Sequence, residues 1–195
     1  MTSLSDAKHL ALQIGKLVNV VDFPGSDRAA LAGACYHIAL DHHEAVVRLI
    51  ELGIHVSALA LVRPQVEAFI RGAWIQHVAN DGDIERVRKD EPFPKQWAMI
   101  TALEATDVFP GDRLSSSHTA NWKCLHTLTH PGAGLIAMVL KDGRVERNCD
   151  EKYVNSALTY TGLHALFAAA GIMMLAENSA SMQELVELTT QFILT

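Results

Sequence analysis

The chain is short of the residues and patterns that mark secretion, cross-linking and nucleotide chemistry. Its three cysteines, Cys35, Cys124 and Cys149, are an odd number without a CxxC pair. That excludes a disulfide framework and reads as reduced thiols in a cytoplasmic protein. The opening MTSLSDAKHL has neither the basic start nor the apolar run of a signal peptide, so secretion is not expected. The most apolar stretch, Ala165 to Ala176, falls short of the ~20 residues that a bilayer span requires and reads as a buried helix, with no membrane partner. Positive charge is also scarce. Sixteen Lys and Arg against 22 Asp and Glu give a net charge of −6, which argues against a broad basic surface for nucleic acid and leaves only local contacts. GxSxG, P-loop and GxGxxG patterns are missing, as are internal repeats and low-complexity tracts.

What the chain does have is 49% hydrophobic residues in 195, enough for the core of one compact domain spanning 1–195. Nearly every long segment carries helical spacing, and the fold class expected is all-α, an antiparallel helical bundle. Leu4, Leu10, Ile14, Leu17, Val18 and Val21 form one apolar face that ends at Phe23-Pro24-Gly25. Ser26 or Asp27 caps a second helix running to Gly53, and a third follows so closely that the two must be antiparallel neighbours. Asn80-Asp81-Gly82-Asp83 closes the third, and the mixed run Glu85 to Glu91 reads as a solvated helix end or loop. A shorter helix is expected over about 95–106 and another over 115–130, then a long, largely buried one over 151–178 and a final amphipathic one over 181–194. Asp142-Gly143 between apolar runs predicts a short β-hairpin near 135–147.

The third helix holds the most informative pattern. In SALALVRPQVEAFIRGAWIQHV, Arg63, Glu67 and Arg71 recur every four residues and share one face, while Ala58, Gln65, Gly72 and Gln76 occupy the opposite side. The expectation is that the small, uncharged side meets solvent and the charges look inward, where they need partners or a purpose. Pro64 removes a backbone donor beside Arg63 and predicts a kink.

A second pattern lies at Trp122-Lys123-Cys124-Leu125-His126-Thr127-Leu128-Thr129-His130, where HxxxH puts two imidazoles on one helical face. Imidazole can ligate a metal, take a proton at neutral pH or hydrogen-bond a phosphate. The glutamate of HExxH is missing, so neither a metal nor a cofactor is expected. Glu67 joining His126 and His130 as metal ligands across the bundle ranks below the other readings. Asp41-His42-His43-Glu44 spans more than one face and reads as mostly surface, with Glu44 and Arg48 as an i,i+4 pair. His164, in an apolar stretch, reads as a hydrogen-bonded core residue.

Tyr36 to Val78, with its His-rich first half and SALALVRPQVEAFIRGAW, together with WKCLHTLTHPG, resembles a group of uncharacterised bacterial helical-bundle proteins. These belong to the HEPN-like superfamily, near the abortive-infection AbiV type. Their landmarks, an Arg-x-x-x-Glu helix and a later helix ending in His before Pro or Gly, are matched by Arg63, Glu67, Arg71, His126 and His130. The resemblance implies a homodimeric bundle of phage-defence or toxin–antitoxin type, with RNA or an antitoxin protein as partner. HEPN ribonucleases use an Arg-x4–6-His motif without metal. Arg48 to His55, Arg71 to His77 and Arg113 to His118 fit that spacing, and none coincides with the landmarks.

Two function classes follow. One is a metal-independent ribonuclease, in which His126 or His130 takes the proton of a ribose hydroxyl and Arg63 or Arg71 stabilises phosphate charge. The other is a non-catalytic bundle that binds an anionic small ligand or a partner protein through a buried Arg/Glu/His network. Glu67, Trp122 and Lys123 are the expected ligand-binding residues.

Overall fold

A computed structural model describes residues 2–19, 25–129, 133–141, 143–145 and 149–194. Its helices are α1 (Leu4–Val18), α2 (Asp27–Glu51), α3 (His55–His77), α4 (Asp81–Arg88), α5 (Gln96–Glu104), α6 (Arg113–Thr129), α7 (Ala133–Val139), α8 (Glu151–Leu175) and α9 (Ser179–Leu194). Two-residue strands β1 (Leu140–Lys141) and β2 (Arg144–Val145) pair antiparallel between α7 and α8. The all-α reading is correct. The expected hairpin shrinks to this ribbon because Leu135 to Val139, read as its first strand, is helical. The end of the first apolar pattern, Val21, lies outside the described residues.

Local chemistry explains the helix limits. Ser3 and Asp6 form a reciprocal capping box at the start of α1, and the Ser26 hydroxyl accepts from the Ala29 amide to start α2. At the end of α2 the Ile54 amide donates to the Leu49 carbonyl and the Gly53 amide to Ile50, a Schellman turn that needs left-handed backbone. Glycine supplies it at φ +70°. The reversal that follows lays α3 against α2 over their whole length. Arg28 fastens the far end, with Nη1 donating to the Ile75 carbonyl at 2.8 Å and to the Ala79 carbonyl. Asn80-Asp81-Gly82-Asp83 does more than close α3, because Asn80 and Asp83 make a second capping box that launches α4. The run Glu85 to Glu91, read as a solvated helix end or loop, is the exposed last turn of α4 and the chain that leaves it.

α8 lies at the centre, packed on α1, α2, α3 and α9. By length and composition alone it could cross a membrane, with mean hydropathy 1.5 in its most apolar window, yet 61% of that window is buried in the fold. The bundle accounts for that apolarity as core. Two glycines allow the closest approach. Tyr36 of α2 lies between α3 and α8, its ring 2.9 Å from where a Cβ on Gly72 would sit and overlapping the place of one on Gly171. Its hydroxyl donates to Gln76 Oε1 at 2.6 Å. Gln65 crosses from α3 to α8, donating to the Thr161 carbonyl at 2.9 Å. α5 and α6 pack on the outer side of α3.

Candidate functional site

The orientation expected for α3 is reversed. Ala58, Gln65 and Gly72 are buried against the neighbouring helices, because small side chains let backbones approach, and solvent is on the charged side. Arg63, Glu67 and Arg71 stand on the outer edge, with side chains 22%, 25% and 43% exposed. α3 continues unbroken through Pro64.

α6 crosses this edge and presents His118, Trp122 and His126 at four-residue intervals along one face. Arg63 is the junction. Its Nε donates to Glu67 Oε1 at 2.9 Å, its Nη1 lies 2.9 Å from His126 Nδ1, and its guanidinium carbon sits 4.5 Å from the centre of the Trp122 ring. A guanidinium only donates, so His126 Nδ1 is the acceptor and the ring proton of that contact lies on Nε2. His118 stacks on Trp122 with ring centres 4.3 Å apart, and Trp97 of α5 leans on His118 at 5.7 Å. Burial and the nearby Arg63 charge hold the His118 imidazole below its usual range. Its Nε2 is buried without a partner among the described residues.

The remaining candidates separate. Arg71 comes 3.9 Å from Glu67 but turns to Phe93, its guanidinium 5.0 Å from that ring, on a groove of about 470 Å³ that Asp90 and Glu91 also line. Acidic groups outnumber it there. Lys123 is exposed and makes no ion pair among the described residues. His130 lies outside the described residues. No group of three or more His, Cys, Asp or Glu gathers for a metal among the described residues. Between Glu67 and His126 the position of a shared cation is filled by Arg63 itself. None of the three Arg-x4–6-His matches is joined by a hydrogen bond among the described residues, and Arg48 pairs instead with Glu44, its Nε 2.8 Å from Oε1. His43 is a correction to the surface reading of its cluster: it is 1% exposed, because α2 turns that face onto the core.

Beside the network, a cavity of about 580 Å³ opens where the start of α6 meets α3 and α8. Phe69 is its centre, stacked on Phe167 with ring centres 5.8 Å apart and edge-on to Phe109 at 6.2 Å and His164 at 5.6 Å. His164 is the hydrogen-bonded core residue expected, its Nδ1 2.9 Å from the Tyr160 carbonyl. A carbonyl only accepts, so Nδ1 carries the proton; burial pushes the imidazole down to about 4 and keeps it neutral. Nε2 is therefore a lone-pair acceptor. Burial also lowers His77 and raises Tyr160, the latter opposed by a hydrogen bond with Ser117. Arg113, on the first turn of α6, is the one formally charged residue on the lining, and no Asp or Glu joins it among the described residues. Glu104 Oε1 accepts from the Ser115 amide at 2.8 Å and so fixes that turn.

The sequence reading missed this cavity and the role of His118. The second omission had a signal: the His126 spacing extends back through Trp122 to His118. The cavity had none, since its walls come from segments far apart in the chain.

A family model described as a family of unknown function, DUF6988, matches residues 36–194. No curated protein and no solved structure matches the chain.

Proposed function

As the chain belongs to this family of unknown function, its activity must be read from its own residues, and we propose that it is a non-catalytic helical bundle that binds a small ligand. The Arg63 network is its structural clamp, and the cavity beside α6 is its binding site. The observation that carries this reading is the engagement of Arg63. Nε and one Nη1 proton are given to Glu67 and His126 and the cation rests on Trp122, so a scissile phosphate would meet a guanidinium whose charge is already shared with Glu67 and whose position is set by the packing of α6 on α3. The adjoining cavity has the size and the mix of aromatic walls and few polar groups that suit a small molecule.

One observation favours the second reading, a HEPN-like metal-independent ribonuclease: Arg63 and His126 are adjacent at an edge open to solvent, and Glu67 could set the arginine for a phosphate. The test incubates the purified chain with end-labelled RNA in EDTA. The binding reading expects intact RNA. Cleavage that persists in EDTA and is lost in both Arg63→Ala and His126→Ala would establish the nuclease instead.

A further inference from the structure

We infer that the α3–α6–α8 cavity takes a small planar aromatic carboxylate whose ring also carries a hydroxyl or N–H donor. The inference rests on the ligand-binding reading above and names the class of ligand. Three features of the lining select it. The walls are flat and apolar: Phe69, Phe109 and Phe167 are set stacked and edge-on, the geometry in which another aromatic ring gains most. The lining has a single formal charge among the described residues, and it is positive. Arg113 is exposed at the mouth, so a ligand with its ring inside places a carboxylate on the guanidinium without drawing it from water. Deeper in, His164 is 8% exposed, its Nδ1–H is committed to the Tyr160 carbonyl, and its Nε2 lone pair accepts from no described residue. A donor on the ligand can pair with it.

Other occupants fit less well. An aromatic cage of this kind would suit a quaternary ammonium, but such cages need a carboxylate or at least no cation, and Arg113 opposes one. A purely apolar guest leaves the His164 acceptor buried and unpaired. A phosphate group finds one guanidinium and, beside it, only neutral donors such as Ser117 and Asn121, too little positive charge for a dianion.

The test is calorimetric titration of the full chain at pH 7.5 with three probes that share one ring: indole-3-acetate, 3-methylindole and tryptamine. The expected order is indole-3-acetate tightest, 3-methylindole about tenfold weaker and tryptamine weakest, since one exposed guanidinium–carboxylate contact is worth about one factor of ten. In Arg113→Gln the carboxylate advantage disappears while 3-methylindole affinity stays. In Ala170→Trp, which fills the cavity from α8, no probe binds; a circular-dichroism melt confirms that this variant is folded. Equal affinity for 3-methylindole and indole-3-acetate, or a preference for tryptamine, overturns the ligand class and leaves cavity binding standing. Failure of all three to bind the natural chain overturns both.

Discussion

Replacing His43 by leucine should remove a defined share of the acid sensitivity of this protein. His43 is 1% exposed on α2, and neither ring nitrogen has a partner among the described residues. Burial pushes its imidazole from the ordinary 6.5 down to about 4. The folded state therefore keeps it neutral while the unfolded chain binds a proton. Between those two values the unfolded state carries more protons, so stability is complete above about pH 6.5 and falls as the pH drops toward 4. At pH 5 the loss is about 2 kcal/mol for this one group, from the ratio of unfolded to folded protonation. His164, depressed equally by burial, adds about as much again. Urea unfolding at pH 7.5 and pH 5.0 measures it. The natural chain should lose about 2 kcal/mol more than His43→Leu between the two, roughly 1 M in urea midpoint. At pH 7.5 the variant should be no less stable, since leucine removes two unpaired polar atoms at similar volume. An identical pH dependence in both proteins would show that His43 is solvated or paired and that the burial argument is wrong.

The glycine contacts give a graded pair. Gly171→Ala sets a methyl against Tyr36, whose ring is already held by Gly72 and whose hydroxyl is bonded to Gln76, so the melting temperature should drop by about 5 °C, corresponding to about 2 kcal/mol of overpacking. Gly162→Ala meets the ring of Phe192 near the end of α9, which can shift, and should cost half as much or less. Equal melting points for the two variants would contradict this ranking. In the RNA assay, the natural chain should leave the substrate intact, and His126→Ala should change stability without changing the RNA.

Much of this architecture was legible as apolar spacing and punctuation. Gly53 announces the α2–α3 reversal because only its left-handed backbone closes that Schellman turn, and Ser26 announces α2 because its hydroxyl caps the helix. Other features depended on packing that no single segment encodes. The pattern of α3 gave two faces correctly but not which one faces inward. Small residues read as a solvent side are the side pressed to α2 and α8, and charge at four-residue spacing turned out to mark the α6 contact. The hairpin is shorter than expected for a related reason: Leu135 to Val139 is short and apolar, a run that periodicity assigns to strand or helix with equal ease. Arg63, Glu67, Trp122 and His126 were legible as residues and meet across two helices; Arg71 was equally legible and reaches only Glu67 among them, and Lys123 joins none of them among the described residues. His118 and the cavity needed the third dimension.

The central claim is that Arg63 clamps α6 to α3, and a double-mutant cycle of Arg63→Met and His126→Leu tests it most directly. Urea unfolding of the four proteins at pH 7.5 should give a coupling of about 1 kcal/mol, the value of one charged hydrogen bond across packed helices. Strict additivity of the two substitutions would mean that the guanidinium and the imidazole do not hold each other, and the clamp would have to be abandoned.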